Sequence, residues 1–98
     1  MLLLSKDDID KGLTSLYDWK YHEKSIKKTF LFDTYVSGIE FVNEISKIAE
    51  KSNHHPDLYV SWRKVSVTFT SHDLGGVTTK CVDLAILIEN IFRKQNNN

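Results

Sequence analysis

Hydrophobic and polar positions repeat with two different periods along the chain, and the places where the period changes predict seven elements. Residues 5–16 open with a capping box formed by Ser5 and Asp8, after which apolar positions recur at helical spacing. Shorter stretches alternate between apolar and polar side chains, as half-buried strands do. The predicted strands span residues 19–21, 27–32, 57–62 and 64–70, and two further helices span residues 35–51 and 79–94.

The second helix and the fourth strand carry the clearest patterns. One face of the second helix is apolar and contains Phe41, Val42, Ile45, Ile48 and Ala49. In the fourth strand, Val65, Val67 and Phe69 alternate with hydroxyl side chains, so one face of the sheet is expected to be buried. The order α-β-β-α-β-β-α predicts an α+β fold in two layers, with a four-stranded antiparallel sheet and helices packed on one face. We expect a single domain over residues 1–98.

The composition limits the partners and the compartment. Lysine and arginine together number 13, as do aspartate and glutamate, so the formal net charge is zero. Non-specific capture by nucleic acid or by an anionic membrane needs a basic surplus, and neither partner is expected. The single cysteine, Cys81, excludes an intrachain disulfide and fits a reducing compartment. Because the leucines at positions 2–4 are too few for a signal peptide or a membrane span, we expect a cytoplasmic protein.

Three of the four histidines lie at the predicted ends of the third and fourth strands. His54 and His55 precede the third strand and His72 follows the fourth, so antiparallel pairing would bring them side by side. Imidazole has a pKa of about 6.5, which suits proton transfer at neutral pH. A single histidine is more often a surface residue than a catalyst, and His22 is assigned no role. A metal site is the rival hypothesis, but these histidines and Cys81 match no usual zinc spacing, so no metal is expected.

The segments around these histidines resemble one known family. Residues 50–57 read EKSNHHPD, with Glu50 four residues before His54, and residues 70–78 read TSHDLGGVT. The two segments, at this separation, are similar to the paired motifs of the pterin-4a-carbinolamine dehydratase family. The resemblance extends over roughly residues 19–91 and implies the family's own two-layer fold.

The resemblance also implies an activity and roles for particular side chains. Members of the family eliminate water from a tetrahydropterin with a hydroxyl on C4a, giving the quinonoid dihydropterin and supporting tetrahydrobiopterin recycling. Carried over to this chain, His54 and His72 are the expected acid and base, and His55 is expected to orient the pterin. The side chains implied in supporting or substrate-binding roles are Glu50, Asp57, Trp62 and Asp73. The family implies neither a cofactor nor a metal, and the sequence does not decide which histidine is the acid.

Two positions depart from the family pattern. Leu58 stands where an aromatic side chain usually follows the acidic residue of the first motif. Cys81 stands where an aspartate usually lies, three residues after Thr78. An aspartate there would complete a capping box, so its replacement is expected to weaken the start of the last helix or, if the side chain touches the site, to affect activity.

The helical surfaces suggest self-association. Val82 and Ile86 lie on the polar face of the last helix, and Val36 and Ile39 lie beside the core face of the central helix. We therefore expect a homo-oligomer, and the resemblance implies a dimer or a tetramer. A non-enzymatic interaction module is the second functional hypothesis, because animal members of the family also serve as dimerisation cofactors of a homeodomain transcription factor. No residue of this chain matches that role specifically.

Overall fold

Three helices and four strands form in the order that the sequence predicts. The structure, a computed structural model, describes residues 2–96. The helices are α1 (Lys6–Leu13), α2 (Tyr35–Ser52) and α3 (Thr79–Asn96). The strands are β1 (Lys20–His22), β2 (Ser25–Leu31), β3 (Asp57–Ser61) and β4 (Lys64–Phe69). All neighbouring strands are antiparallel and the sheet order is β1-β2-β4-β3, so the predicted α+β class is confirmed.

Side-chain caps set the starts of the first two helices. Ser5 Oγ accepts a hydrogen bond from the backbone N–H of Asp8 at 3.1 Å, as expected from the capping box. Thr34 Oγ1 accepts one from the backbone N–H of Ser37 at 3.0 Å and begins α2. The first helix is shorter than its apolar stripe, because it ends before Leu16, which is nevertheless buried.

The β1–β2 hairpin turns within two residues. His22 pairs with Ser25, and Glu23 and Lys24 between them have φ angles of 47° and 66°. Positive φ at both central residues is typical of a type I′ turn, whose twist matches that of paired strands. The turn fixes the register of β2, so that Ile26 lies on the face that meets the helices.

The core lies between one face of the sheet and the two long helices. Alternate residues of the central strands are almost fully buried there, namely Ile26, Phe30, Val65, Val67 and Phe69. Phe30 meets Phe41 of α2 and Phe92 of α3, with ring centroids 4.9 Å apart in both cases. The opposite face is mostly polar, although Leu31 and Tyr59 are exposed on it, and the hydroxyl oxygens of Thr29 and Ser66 lie 2.8 Å apart there. The predicted two-layer arrangement, with helices on one face, is confirmed.

Helix α1 covers part of α3 that we expected to be exposed. An added Cβ at Gly12 would lie 3.2 Å from Val82 Cγ1, so the two helices approach closely at this point. Val82 is only 8% exposed, and the expectation that it contributes to an exposed apolar pair is wrong. Ile86 on the polar face of α3 and Val36 beside the core face of α2 are exposed, as predicted, whereas Ile39 is half-buried.

One polar cluster is buried between the sheet and α3. Lys28 lies on the inner face of β2 and forms an ion pair with Glu89 of α3, and both side chains are almost inaccessible to solvent. Trp19 Nε1 donates a hydrogen bond to the same carboxylate oxygen at 2.9 Å. The ammonium group of Lys28 also lies 4.7 Å from the centroid of the Phe30 ring. Each charged group of the cluster therefore has a partner, which burial of charge requires.

Candidate active site

The end of α2 directs two histidines away from the helix. Asn53 adopts a left-handed conformation, with φ 50° and ψ 42°, and its N–H donates to carbonyls of the last helical turn. The backbone N–H of His54 donates to the carbonyl of Ala49 at 3.1 Å, which closes the helix end. Asparagine tolerates the left-handed region better than most side chains. The chain therefore leaves α2 sharply, and His54 and His55 lie just before β3.

A tight loop after β4 carries the third histidine. The backbone N–H of Ser71 donates to the carbonyl of Gly76, and that of Gly75 donates back to the carbonyl of Ser71, both at 2.7 Å. Gly75 has a φ of 72°, a conformation that favours glycine. The loop contains His72, and it lies near the start of β3 because the first residue of that strand pairs with Thr68.

The three histidines border one small cleft at this edge of the sheet. Its volume is about 180 Å³, and its lining consists of Asn53, His54, His55, Thr70, Ser71, His72 and Asp73. His54 is half-buried, whereas His55 and His72 are exposed. The antiparallel pairing of β3 and β4 thus brings together the histidines that lie beyond their adjoining ends, as the sequence reasoning expected.

His54 has the most structured surroundings of the three. Its ring stacks on Phe69 at an interplanar angle of 8°, with the centroids 5.8 Å apart. Its Nε2 atom lies 3.3 Å from the sulfur of Cys81, a residue that is completely buried. Burial lowers the pKa of His54 from 6.5, and the positive charges of Lys80, His55 and His72 act in the same direction. The imidazole of His54 is therefore held mainly in its neutral form at neutral pH.

The two carboxylates expected to support the histidines, Glu50 and Asp73, differ in their contacts. Glu50 contacts Nε2 of His55, not His54, and both side chains are more than half exposed. Glu50 lies five residues before His55 in the chain, and it restrains the more exposed of the two adjacent histidines. Asp73 lines the cleft but, within residues 2–96, forms no ion pair with His72.

Two other side chains expected at the site lie outside the cleft. Asp57 is exposed and pairs with Thr68 on the polar face of the sheet. Trp62 is 72% exposed and lies in the turn between β3 and β4, at the opposite end of the hairpin from the histidines. The length of β3, roughly 13 Å at the usual rise per residue, separates that turn from the cleft. The structure does not bring Trp62 to the histidines within one chain, and its implied role in binding the pterin stays a prediction.

The match to known proteins covers nearly the whole chain. Residues 2–91 match the family model described as pterin 4 alpha carbinolamine dehydratase. The chain belongs to this family. A Thermosynechococcus vestitus protein named "Putative pterin-4-alpha-carbinolamine dehydratase" is 43% identical over 90% of this chain and 93% of its own length. A protein of the same name from Sulfurisphaera tokodaii is 36% identical over 94% of this chain and 99% of its own.

Solved structures agree with this dehydratase assignment at the level of the fold. The crystal structure of a transcriptional coactivator/pterin dehydratase from Brucella melitensis has a TM-score of 0.88 and 25% identity, over 91% of this chain and 97% of that one. A pterin dehydratase-like protein identified as a RuBisCO assembly factor in the alpha-carboxysome has a TM-score of 0.62 and 16% identity. That match covers 74% of this chain and 84% of the other, and it shows a shared fold alone.

Both departures from the dehydratase pattern have a place in the structure. Leu58 is half-buried in β3 and packs against the core. Cys81 is the third residue of α3, and its sulfur contacts His54, so the side chain does touch the site. From the sequence alone, Cys81 could affect either the start of α3 or the site, and the contact with His54 shows that it reaches the site. The absence of the family's aspartate marked position 81 as unusual in the sequence. The spacing of the motifs did not indicate which histidine this residue contacts.

Other clefts in this dehydratase domain are larger but lack suitable chemistry. One of about 780 Å³ lies between α2 and α3, and one of about 450 Å³ lies at the β3–β4 turn. Neither is lined by a histidine. Over residues 2–96, no three metal-binding side chains are grouped so as to hold an ion, and no helix is long and apolar enough to cross a membrane. The histidine cleft is therefore the candidate active site on chemical grounds and not by size.

Proposed function

We propose that this protein eliminates water from 4a-hydroxytetrahydropterin to give the quinonoid dihydropterin, and so serves tetrahydrobiopterin recycling. Membership of the dehydratase family supports the reaction class. The observation that carries the proposal is the grouping of His54, His55 and His72 around one cleft, with the pKa of His54 lowered by burial. Imidazoles grouped around one cleft can supply both a proton acceptor and a proton donor for the reaction.

The reaction needs two proton transfers. The hydroxyl on C4a leaves as water after it receives a proton, while the N5 lone pair forms the double bond to C4a. A base then removes the proton on N5, so the substrate loses one hydrogen and one hydroxyl in total. His54 and His72 are the proposed acid–base pair, and His55, which Glu50 restrains, orients the pterin. No step needs an oxidant or a metal ion.

The size of the cleft indicates how a pterin would bind. At about 180 Å³ it is smaller than the roughly 300–1,000 Å³ of most ligand pockets. The edge of the bicycle that carries N5 and C4a therefore enters the cleft, while the rest of the ring system lies on its open side. Asn53 and Asp73, which also line the cleft, offer hydrogen-bonding groups to the ligand.

A coupled assay with 4a-hydroxytetrahydropterin tests the proposal. We expect His54→Ala and His72→Ala each to reduce turnover by about 10²-fold or more, the lower end of the range for acid–base catalysis. His22→Ala is the matched control, because His22 is exposed and does not belong to the residues that line the cleft. Wild-type turnover in both site variants, with circular dichroism unchanged, would refute the proposed roles.

We also propose that the protein acts as a homo-oligomer in the cytoplasm. The exposed side chains of Val36 and Ile86 support self-association, since apolar groups on helical surfaces often mark interfaces. Light scattering at micromolar concentration tests this, and a mass near 11.4 kDa would indicate a monomer.

A further inference from the structure

We infer that Cys81 positions His54 by holding its Nε2 atom, and that this leaves Nδ1 of His54 as the proton acceptor of the reaction. The inference rests on the proposed function, which supplies the identity of the proton. It assigns to the buried thiol a role in the chemistry and, through it, assigns different roles to the two catalytic histidines. Cys81 touches the imidazole and not the substrate, so it is a positioning residue.

Three contacts fix the orientation of His54. The backbone N–H is bonded to the end of α2, and the ring lies flat on Phe69. The third contact, between Nε2 and the sulfur of Cys81 at 3.3 Å, stops rotation of the ring about its bond to Cβ. Because the two nitrogens of an imidazole point in widely different directions, a ring held by Nε2 on a buried group has only Nδ1 available for the cleft. The role of His54 therefore depends on which nitrogen carries the hydrogen.

The direction of the hydrogen bond follows from the strengths of the groups. An imidazole N–H is a full-strength donor, whereas a thiol is a weak donor and a weak acceptor. The sulfur of Cys81 also lies 3.6 Å from Oγ1 of Thr78, a residue that is completely buried. The thiol hydrogen can point to that hydroxyl oxygen while the sulfur accepts from Nε2–H of His54. The tautomer fixed in this way has a free lone pair on Nδ1, which is what a base needs.

The charges around His54 support the same assignment. A thiol is uncharged, so Cys81 gives the imidazolium form no compensating negative charge. Lys80, His55 and His72 add positive charge nearby and, together with burial, lower the pKa of His54. The carboxylate of Glu50 is engaged by His55, and Asp73 forms no ion pair with His54 among the described residues. His54 thus starts the reaction neutral, and the exposed His72 is left as the proton donor.

The wild-type protein provides the first test. Nitrogen-15 NMR of histidine-labelled protein distinguishes a protonated from an unprotonated ring nitrogen, and needs neither substrate nor turnover. We expect His54 to show a protonated Nε2 and an unprotonated Nδ1 at neutral pH. A hydrogen on Nδ1, or rapid exchange between the two tautomers as in free imidazole, would overturn the inference without any variant being made.

Substitution of Cys81 provides the second test. Cys81→Ala removes the contact, and we expect both tautomers of His54 to appear and kcat to fall roughly 10- to 100-fold, the loss typical of a misplaced catalytic group. Cys81→Ser keeps a group that donates and accepts, and should retain the Nε2-protonated tautomer. Ala85→Ser, one turn further along the buried face of α3, is the matched control and should leave the tautomer unchanged. An unchanged tautomer and unchanged kcat in Cys81→Ala would refute the positioning role.

Cys81→Asp tests the argument from charge. A carboxylate at this distance stabilises an imidazolium, so the acidic limb of the pH–kcat profile should move up by about one pH unit or more. A profile that stays in place or moves down would contradict the assignment of His54 as the base. If wild-type protein shows the expected tautomer but no dehydratase turnover, the proposed function fails while the positioning of His54 stands. If the protein shows dehydratase turnover but the opposite tautomer of His54, the proposed function stands and the positioning of His54 fails.

Discussion

The buried cluster of Lys28, Glu89 and Trp19 makes a strong prediction about stability. In Lys28→Met, a side chain of similar length loses its charge, and the carboxylate of Glu89 keeps only the hydrogen bond from Trp19. Lys28 and Glu89 are 11% and 6% exposed, so water cannot replace the missing ammonium group without opening the interface between β2 and α3. The variant therefore leaves an uncompensated charge in the core.

The expected loss is a large fraction of the total stability. Removing one member of a buried ion pair typically costs 3–5 kcal/mol, so we expect the free energy of unfolding to fall by about 3 kcal/mol or more. Domains of this size are usually stable by about 5–15 kcal/mol. At roughly 4–8 °C per kcal/mol, the melting temperature should fall by about 12 °C or more. Glu89→Leu should cost more than Lys28→Met, because it leaves both the ammonium group and the Trp19 indole N–H without an acceptor.

A double-mutant cycle separates the pair from the packing of its side chains. Lys28→Met combined with Glu89→Gln removes both charges and keeps an acceptor for Trp19, so we expect it to be more stable than Lys28→Met alone. Urea unfolding followed by circular dichroism measures each corner of the cycle. Lys27→Met on the exposed face of the same strand is the matched control and should change stability by less than about 0.5 kcal/mol. A loss below about 1 kcal/mol in Lys28→Met would show that the cluster is open to water, and the reasoning would fail.

Two further predictions concern a helix cap and acid stability. Thr34→Ala removes the acceptor for the Ser37 N–H and should lower the free energy of unfolding by about 1 kcal/mol, measured by urea titration; an unchanged midpoint would mean that another group caps α2. Burial lowers the pKa of His54, so the unfolded chain binds a proton more readily than the folded one, and stability falls as pH drops below about 6.5. His54→Gln should therefore lose less stability than wild type between about pH 7.5 and about pH 5.5, and equal losses would contradict the lowered pKa.

The arrangement of elements was predictable because the core face and the helix starts leave local patterns. The alternation of Val65, Val67 and Phe69 fixes which face of β4 is buried, and the structure has that face against the helices. The same alternation in β2 places Lys28 between Ile26 and Phe30, on the inner face. A lysine at such a position indicates a buried partner, but the partner in α3 lies 61 residues away and no local pattern identifies it. Contacts between distant elements are decided by packing and not by spacing.

The grouping of the histidines could be predicted from the sequence only because the pairing of β3 and β4 determines which residues lie at the same end of the sheet. Antiparallel pairing of β3 and β4 brings together the residues beyond their adjoining ends, which accounts for His54 and His72. The same pairing places Trp62 in the turn at the other end of the two strands. Its position in the family's motif therefore did not indicate that it lies at the cleft. Strand direction alone predicts that Trp62 lies at the opposite end of the β3–β4 hairpin from the histidines.

The contact between His54 and Cys81 shows that two side chains of similar size at one position can differ in their effect on a neighbouring imidazole, because their charges differ. A thiol and a carboxylate at the third residue of α3 both fill a small buried space beside Nε2, and both can accept a hydrogen bond from it. Only the carboxylate stabilises the protonated ring, because only it carries a negative charge. With a thiol in place, the lowered pKa of His54 and its restrained orientation act together to keep a neutral imidazole facing the cleft. A thiol in place of a carboxylate at this position therefore leaves burial as the main influence on the protonation of His54.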